Sequence, residues 1–149
     1  MNKHEELIYT FYTAFQQLDA DTMVNCYHPD ASFKDPVFEL HSKEEIAKMW
    51  NGLCKRAKKF ELNFDQVKAN ESTGLAHWEA TYLFSKTNRM VTNSINAEFR
   101  YKDGLIIEHI DSFDFWKWSR QALGLTGYLL GWSSFLRSKV QKQAMKSLK

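Results

Sequence analysis

The residues best placed to do chemistry lie on one alternating run, Leu105 to Phe113. Within it His109 and Asp111 share the parity of Leu105, Ile107 and Phe113. Two positions apart on a strand, they fall on one face. An Asp beside a His can act as a general base, orient the imidazole or hold a water, near the pH at which imidazole titrates. A buried, unpaired Asp is expensive, so it pairs or raises its pKa. Other runs supply neighbours. Trp78 shares the parity of Ala80 and Tyr82, and Asn93 that of Val91, Ile95 and Ala97. Asp35 falls on the side of Phe33 in a short extended stretch. If the apolar members face the core, the polar ones face it too.

Three aromatic residues on predicted helices complete the set. Tyr12 or Tyr27 could donate a phenol to an oxyanion, and Trp50, with Trp78, reads as core or pocket wall. Plainer readings stand beside these. His109 and Asp111 could be a structural hydrogen-bonded pair, as buried polar groups find partners whatever their role. Asp35 could fix the turn at Pro36 through side-chain to backbone bonds. Asp114 suits the N-cap of a following helix.

Other chemistries lack their motifs. The six glycines form neither GxGxxG nor GxxxxGK[ST], and no GxSxG occurs. Cys26 and Cys54 lack CxxC spacing and read as free thiols in predicted helices, so no metal site is expected. No cofactor is expected either.

The elements that must position these residues follow from periodicity. Leu7, Ile8, Phe11, Tyr12 and Phe15 mark a helix over 3–17. Asp19 or Asp21 caps a short helix over about 21–27, which His28-Pro29-Asp30 breaks. Residues 31–40 read as short extended segments interrupted by Pro36. Ser42 followed by Glu45 resembles a capping box and opens a helix over about 43–57. Four alternating runs then begin near Phe60, His77, Val91 and Leu105. Short turns separate them, including Asp103-Gly104, which predicts a hairpin. Together they predict an antiparallel meander. A helix from Trp116 to Leu123 and another over 126–147 follow. The order implies one α+β domain, with three N-terminal helices packed on a curved antiparallel sheet as a cone, plus C-terminal helices.

Composition fits a folded chain of 149 residues, 44% apolar and 15% aromatic. It excludes disordered, collagen-like and coiled-coil classes. Charge is divided unevenly. Residues 1–116 carry 13 basic and 18 acidic side chains, whereas residues 117–149 carry 7 basic and none acidic. In the tail, Gly124, Gly127 and Gly131 flank Tyr128-Leu129-Leu130, with Trp132 and Phe135 beyond. Small residues at this spacing permit close helix approach. The tail could cap a pocket, swap across a dimer or lie on a membrane surface. Packing on its own domain or a dimer partner is the first expectation. A nucleic-acid partner is not expected, as no binding motif accompanies the basic residues. No signal peptide or transmembrane segment is evident, and the cytoplasm is the simplest location.

Two stretches carry a family resemblance: FYTAFQQLDADTMVNCYHPDASFKDPVF near the start and YKDGLIIEHIDSFDFW near residue 115. Over residues 3–116 the chain resembles the SnoaL-like members of the nuclear-transport-factor-2-like superfamily. That superfamily includes ketosteroid isomerase and limonene epoxide hydrolase. Residues 117–149 lie outside the resemblance, as a C-terminal helical extension. The resemblance implies a conical fold, a homodimer and an internal pocket for a small apolar molecule. It also implies that Asp111 holds the acid/base position used by SnoaL-like cyclases. The hydrolase's carboxylate–Arg–carboxylate set is not matched: the residue two before Asp111 is His109, and Glu79 has the opposite parity to Trp78. An isomerase, cyclase or lyase step on a carbonyl-bearing molecule is the first expectation, with Asn93 and Tyr27 as donors to an enolate oxygen. The alternatives are a binding module without turnover and a protein-interaction dimer.

Overall fold

A computed structural model describes residues 1–131 and 133–148; Trp132 of the tail lies outside them. Helix α1 (Lys3–Gln16) starts in a capping box between Asn2 and Glu5. It buries Ile8, Phe11, Tyr12 and Phe15, the apolar face its periodicity marks. Asp19 caps α2 (Ala20–Asn25) by accepting from the Thr22 N–H. Ser42 likewise accepts from the Glu45 N–H at the start of α3 (Lys43–Arg56). Glu45 reaches back past Ser42 to the N–H of His41, so the capping box closes one residue early.

The sheet has six strands: β1 (Tyr27–Lys34), β2 (Glu39–Leu40), β3 (Glu61–Ala69), β4 (Thr73–Phe84), β5 (Arg89–Lys102) and β6 (Leu105–Ser112). Their spatial order is β2-β1-β6-β5-β4-β3. Strands β3 to β6 form the expected antiparallel meander. Asp103 and Gly104 both have positive φ at the β5–β6 turn, as a two-residue hairpin requires.

Two features correct the sequence reading. The sheet is mixed, because β1 runs parallel to β6. His28-Pro29-Asp30, expected to break a helix, lies inside β1, where register shifts between Tyr27 and Ser32. Such an irregular stretch tolerates a proline that cannot donate to the ladder. Parity along β6 also changes. Arg100 pairs with Glu108 but Tyr101 with Ile106, so Ile107 is an extra, bulged residue. Buried Ile106 therefore shares the inner side with His109 and Asp111, and Leu105 and Ile107 do not set that face.

The C-terminal region is three helices, α4 (Phe115–Leu123), α5 (Leu125–Leu130) and α6 (Ser134–Lys146). The single helix expected over 126–147 is therefore interrupted. Ser133 caps α6 by accepting from the Leu136 N–H, which sets a new helix start. Gly127 faces α4 so closely that a Cβ there would lie 1.9 Å from the Ser119 carbonyl oxygen. The small residue thus permits the close helix approach. Gln121 of α4 completes the sheet in another way. Its amide accepts from the Thr92 N–H and donates to the Thr92 carbonyl, serving β5 where β6 has ended.

Inside, aromatic rings from α1, α3 and the sheet form the main core. A second cluster of Val91, Phe115, Trp118 and Ala122 joins α4 to the sheet.

Candidate active site

Four of the eight candidate residues form one buried line. Trp50 on α3 donates its indole N–H to the Tyr27 hydroxyl at 3.1 Å. The Tyr27 hydroxyl lies 2.7 Å from Nδ1 of His109, and Nε2 of His109 lies 2.8 Å from Oδ1 of Asp111. Indole can only donate. Tyr27 oxygen therefore accepts from Trp50, and its hydrogen is directed to Nδ1. That leaves the Nε2 hydrogen to donate to the carboxylate. With a neutral imidazole this arrangement satisfies every link, drawn from α3, β1 and β6.

The line is enclosed. Tyr27 and His109 are wholly buried, and Trp50 and Asp111 nearly so. Rings of Phe11, Phe33 and Phe99 surround the imidazole, with centroids 5.7, 4.9 and 4.4 Å away. Burial pushes the Tyr27 phenol well above its ordinary pKa, against a smaller opposing effect of the Trp50 hydrogen bond.

Tyr12 and Trp78 stand beside this line, with ring centroids 6.1 Å apart. Both are buried, and neither the Tyr12 hydroxyl nor the Trp78 indole N–H has a hydrogen-bond partner among the described residues. Buried donors rarely remain so. Burial and then the Asp111 charge raise the Tyr12 pKa well above its ordinary value, keeping it a donor.

Asp35 lies at the other end, where the strand leaves the core. Its Oδ1 accepts from the N–H groups of Val37 and Phe38 at 2.7 and 2.6 Å, so it does fix the turn. Burial nevertheless raises its pKa to about 7, opposed by those two bonds and raised further by Asp111. Asn93 is buried on the inner face of β5 opposite Ala80. It lies beyond the stretch of β5 that pairs with β6, away from the imidazole's own cross-strand partner Phe99.

The structure differs from expectation at Tyr27, whose hydroxyl is engaged by Trp50 and His109 rather than available to a ligand. Three phenylalanine rings pack around His109 on the inner side of the sheet. Two open surface grooves of about 350 and 310 Å³ lie along α1, α2 and α3, and none of the eight candidates lines them. Glu79 is exposed on the outer face, as its parity predicted. Cys26 and Cys54 are free, Cys26 buried and Cys54 only partly so. Among the described residues no cluster of three or more His, Cys, Asp or Glu could hold a metal. Among the described residues no helix is long and apolar enough to cross a membrane.

Sequence reasoning missed Tyr82 and Trp118. The Trp118 indole donates to the Tyr82 hydroxyl at 2.9 Å, and Asp35 adds to the upward shift of the Tyr82 pKa. The available signal was the parity Tyr82 shares with Trp78. Missed too was the contact of α6 with the turn beside Asp35, where Arg137 and Gln141 donate to the Pro36 carbonyl.

A curved sheet beneath N-terminal helices, with a buried His–Asp pair on its inner face, makes an α+β domain. The sequence profile of the SnoaL-like domain matches residues 8–109, and the chain belongs to that family. No curated protein matches the sequence significantly. Solved structures share the fold at low identity. A Mycobacterium tuberculosis epoxide hydrolase resembling limonene epoxide hydrolase is 19% identical, with TM-score 0.69, covering 86% of this chain and 96% of its own. TerC, co-crystallised with polyporic acid, is 14% identical with TM-score 0.70, covering 83% and 100%. A Catenulispora acidiphila protein with a ketosteroid isomerase-like fold, in complex with trimethylamine, is 8% identical with TM-score 0.69, covering 78% and 92%.

Proposed function

We propose that this protein catalyses a cofactor-independent proton transfer on a small apolar molecule bearing a carbonyl, as an isomerase, cyclase or lyase. The observation that carries the reading is the buried line Trp50–Tyr27–His109–Asp111 with two unpartnered donors beside it. Asp111 is the acid/base: Oδ1 is held by His109, leaving Oδ2 for the substrate. His109 is the positioning residue, fixed through Tyr27 and Trp50. Tyr12 O–H and Trp78 N–H supply the preorganised donors that an enolate oxygen needs. They replace Tyr27 in that role, while Asn93 bounds the site further along β5. Asp35, with its raised pKa, is suited to return a proton near neutral pH. That TerC was co-crystallised with polyporic acid, and the Catenulispora acidiphila protein with trimethylamine, supports a small-molecule partner.

The test is exchange of the hydrogen next to the carbonyl in a panel of cyclic ketones, followed by NMR in deuterium oxide. Wild type should exchange at least one ketone, and Asp111→Asn should be slower by about 10²–10⁴-fold. Exchange by neither protein, or equally by both, overturns the reading. A second reading is favoured by the three phenylalanine rings packed around His109: a binding module or filled dimer without turnover. Ketone-induced rise in melting temperature without exchange would select binding. The absence of both effects would select the filled interior.

A further inference from the structure

We infer that the outward side of α5 and α6 is a docking face for an anionic lipid surface. The inward side of α6 is already used. Leu136 is buried, Val140 packs on the second cluster and Met145 on the main core. On the opposite side Phe135, Lys139, Lys142 and Lys146 recur at i, i+4, i+7 and i+11, and all four are exposed. That spacing places them in one stripe along the helix.

Apolar side chains of α5 and of the start of α6 are also left exposed. Leu125 is 74% exposed and Phe135 73%, with Leu129 and Leu130 also exposed. Apolar groups of this size normally find cover. Residues 117–149 carry seven basic and no acidic side chains, against a net charge of −5 over residues 1–116. Lys139, Lys142 and Lys146 form no ion pair among the described residues.

The combination selects the occupant. A bilayer with anionic headgroups offers phosphate and carboxylate to the lysines and an acyl boundary to the leucines and Phe135. A nucleic acid would take the lysines but gives exposed aliphatic chains nothing to enter. A second copy would bring an equally basic face against this one. The acidic body would be repelled by the same headgroups, so contact is confined to the helices and the molecule docks in one orientation.

The experiment is sedimentation of the full-length chain with vesicles of phosphatidylcholine alone and of phosphatidylcholine with about 30% phosphatidylserine. Binding is expected only with phosphatidylserine, and should fall steeply as salt is raised. The triple variant Lys139→Gln, Lys142→Gln, Lys146→Gln should bind about 100-fold more weakly, at about fivefold per charge. Leu125→Ser with Phe135→Ser should reduce binding at least tenfold even at low salt, a loss that charge alone does not produce. Both variants change exposed positions, and unchanged circular dichroism and melting temperature confirm folding. No sedimentation with phosphatidylserine vesicles overturns the inference, as does wild-type binding by either variant. A shift of RNA or DNA in a gel, or dimerisation lost in the triple variant, without vesicle binding would assign the face to those partners and overturn it.

Discussion

Two histidine–carboxylate pairs lie on opposite faces of the same sheet. On the inner face His109 meets Asp111 at 2.8 Å, with side chains 0% and 3% exposed. On the outer face His77 meets Asp65 at 2.9 Å, with side chains 25% and 66% exposed. His77 also bonds Ser94 at 2.7 Å, which gives the outer group the chain order of a hydrolytic triad. The contact distances barely differ, but the surroundings do. Around His109 rings exclude water, and a hydrogen bond from Tyr27 fixes the imidazole from its far side. Around His77 water competes for each partner. Distance alone therefore does not tell the two pairs apart; enclosure does.

The comparison breaks most sharply at Asp111. Asp111→Ala leaves the His109 Nε2–H without an acceptor in an apolar interior, and should cost about 3–5 kcal/mol of stability. Urea unfolding that shows a loss below about 1 kcal/mol would contradict the enclosed pair.

Asp35→Asn tests the carboxyl with the raised pKa. With a folded pKa of about 7, above its unfolded value, the wild-type carboxyl binds protons more tightly when folded. Its stabilising contribution is full below about pH 4 and is lost as pH rises through 7. Asparagine mimics the protonated form at all pH, so Asp35→Asn should gain roughly 2–4 kcal/mol relative to wild type at pH 8 and little at pH 4. Thermal melts across that range measure it. A gain independent of pH would assign the effect to the turn instead.

Tyr27→Phe removes one oxygen and leaves both the Trp50 N–H and His109 Nδ1 unsatisfied. The expected loss is about 1–3 kcal/mol by chemical denaturation. A neutral result would mean that the line is not held through Tyr27.

The smallest effect belongs to the surface pair. Asp65→Ala should change stability by less than about 1 kcal/mol, and the change should vanish in about 1 M salt, where exposed charges are screened. The Asp111→Ala loss should persist in the same salt. Equal salt sensitivity of the two would erase the distinction between the faces.

Much of this arrangement is legible in the sequence. Alternation in β4 and β5 places Trp78 and Asn93 inward, and Asp103-Gly104 sets the last hairpin. The inward side of His109 and Asp111 is also readable, but part of its basis fails. Leu105, Ile106 and Ile107 are all apolar, so the run gives no sign of the extra residue at Ile107. The parallel partnership of β1 is hidden because Pro29 is a strong local signal for a break, and a tertiary bulge overrides it. No local pattern could show that Trp50, Tyr27 and His109 share hydrogen bonds. They come from separate elements, and only the packed fold brings them within reach. The break between α5 and α6 is missed for the reverse reason: apolar spacing continues through a stretch where the Ser133 cap restarts the helix.

The Pro36 carbonyl is held by side chains 101 and 105 positions later in the chain. During synthesis the N-terminal portion emerges first. Helices α1 to α3 and the meander can collapse while α6 is still within or behind the ribosome. The segment around Asp35 must then wait for its restraint, and such distant contacts are slow to form. The turn at Asp35 thus gains its last restraint only after α6 has been made. A chain stalled before Gln141 would hold a folded body with this end still unfastened.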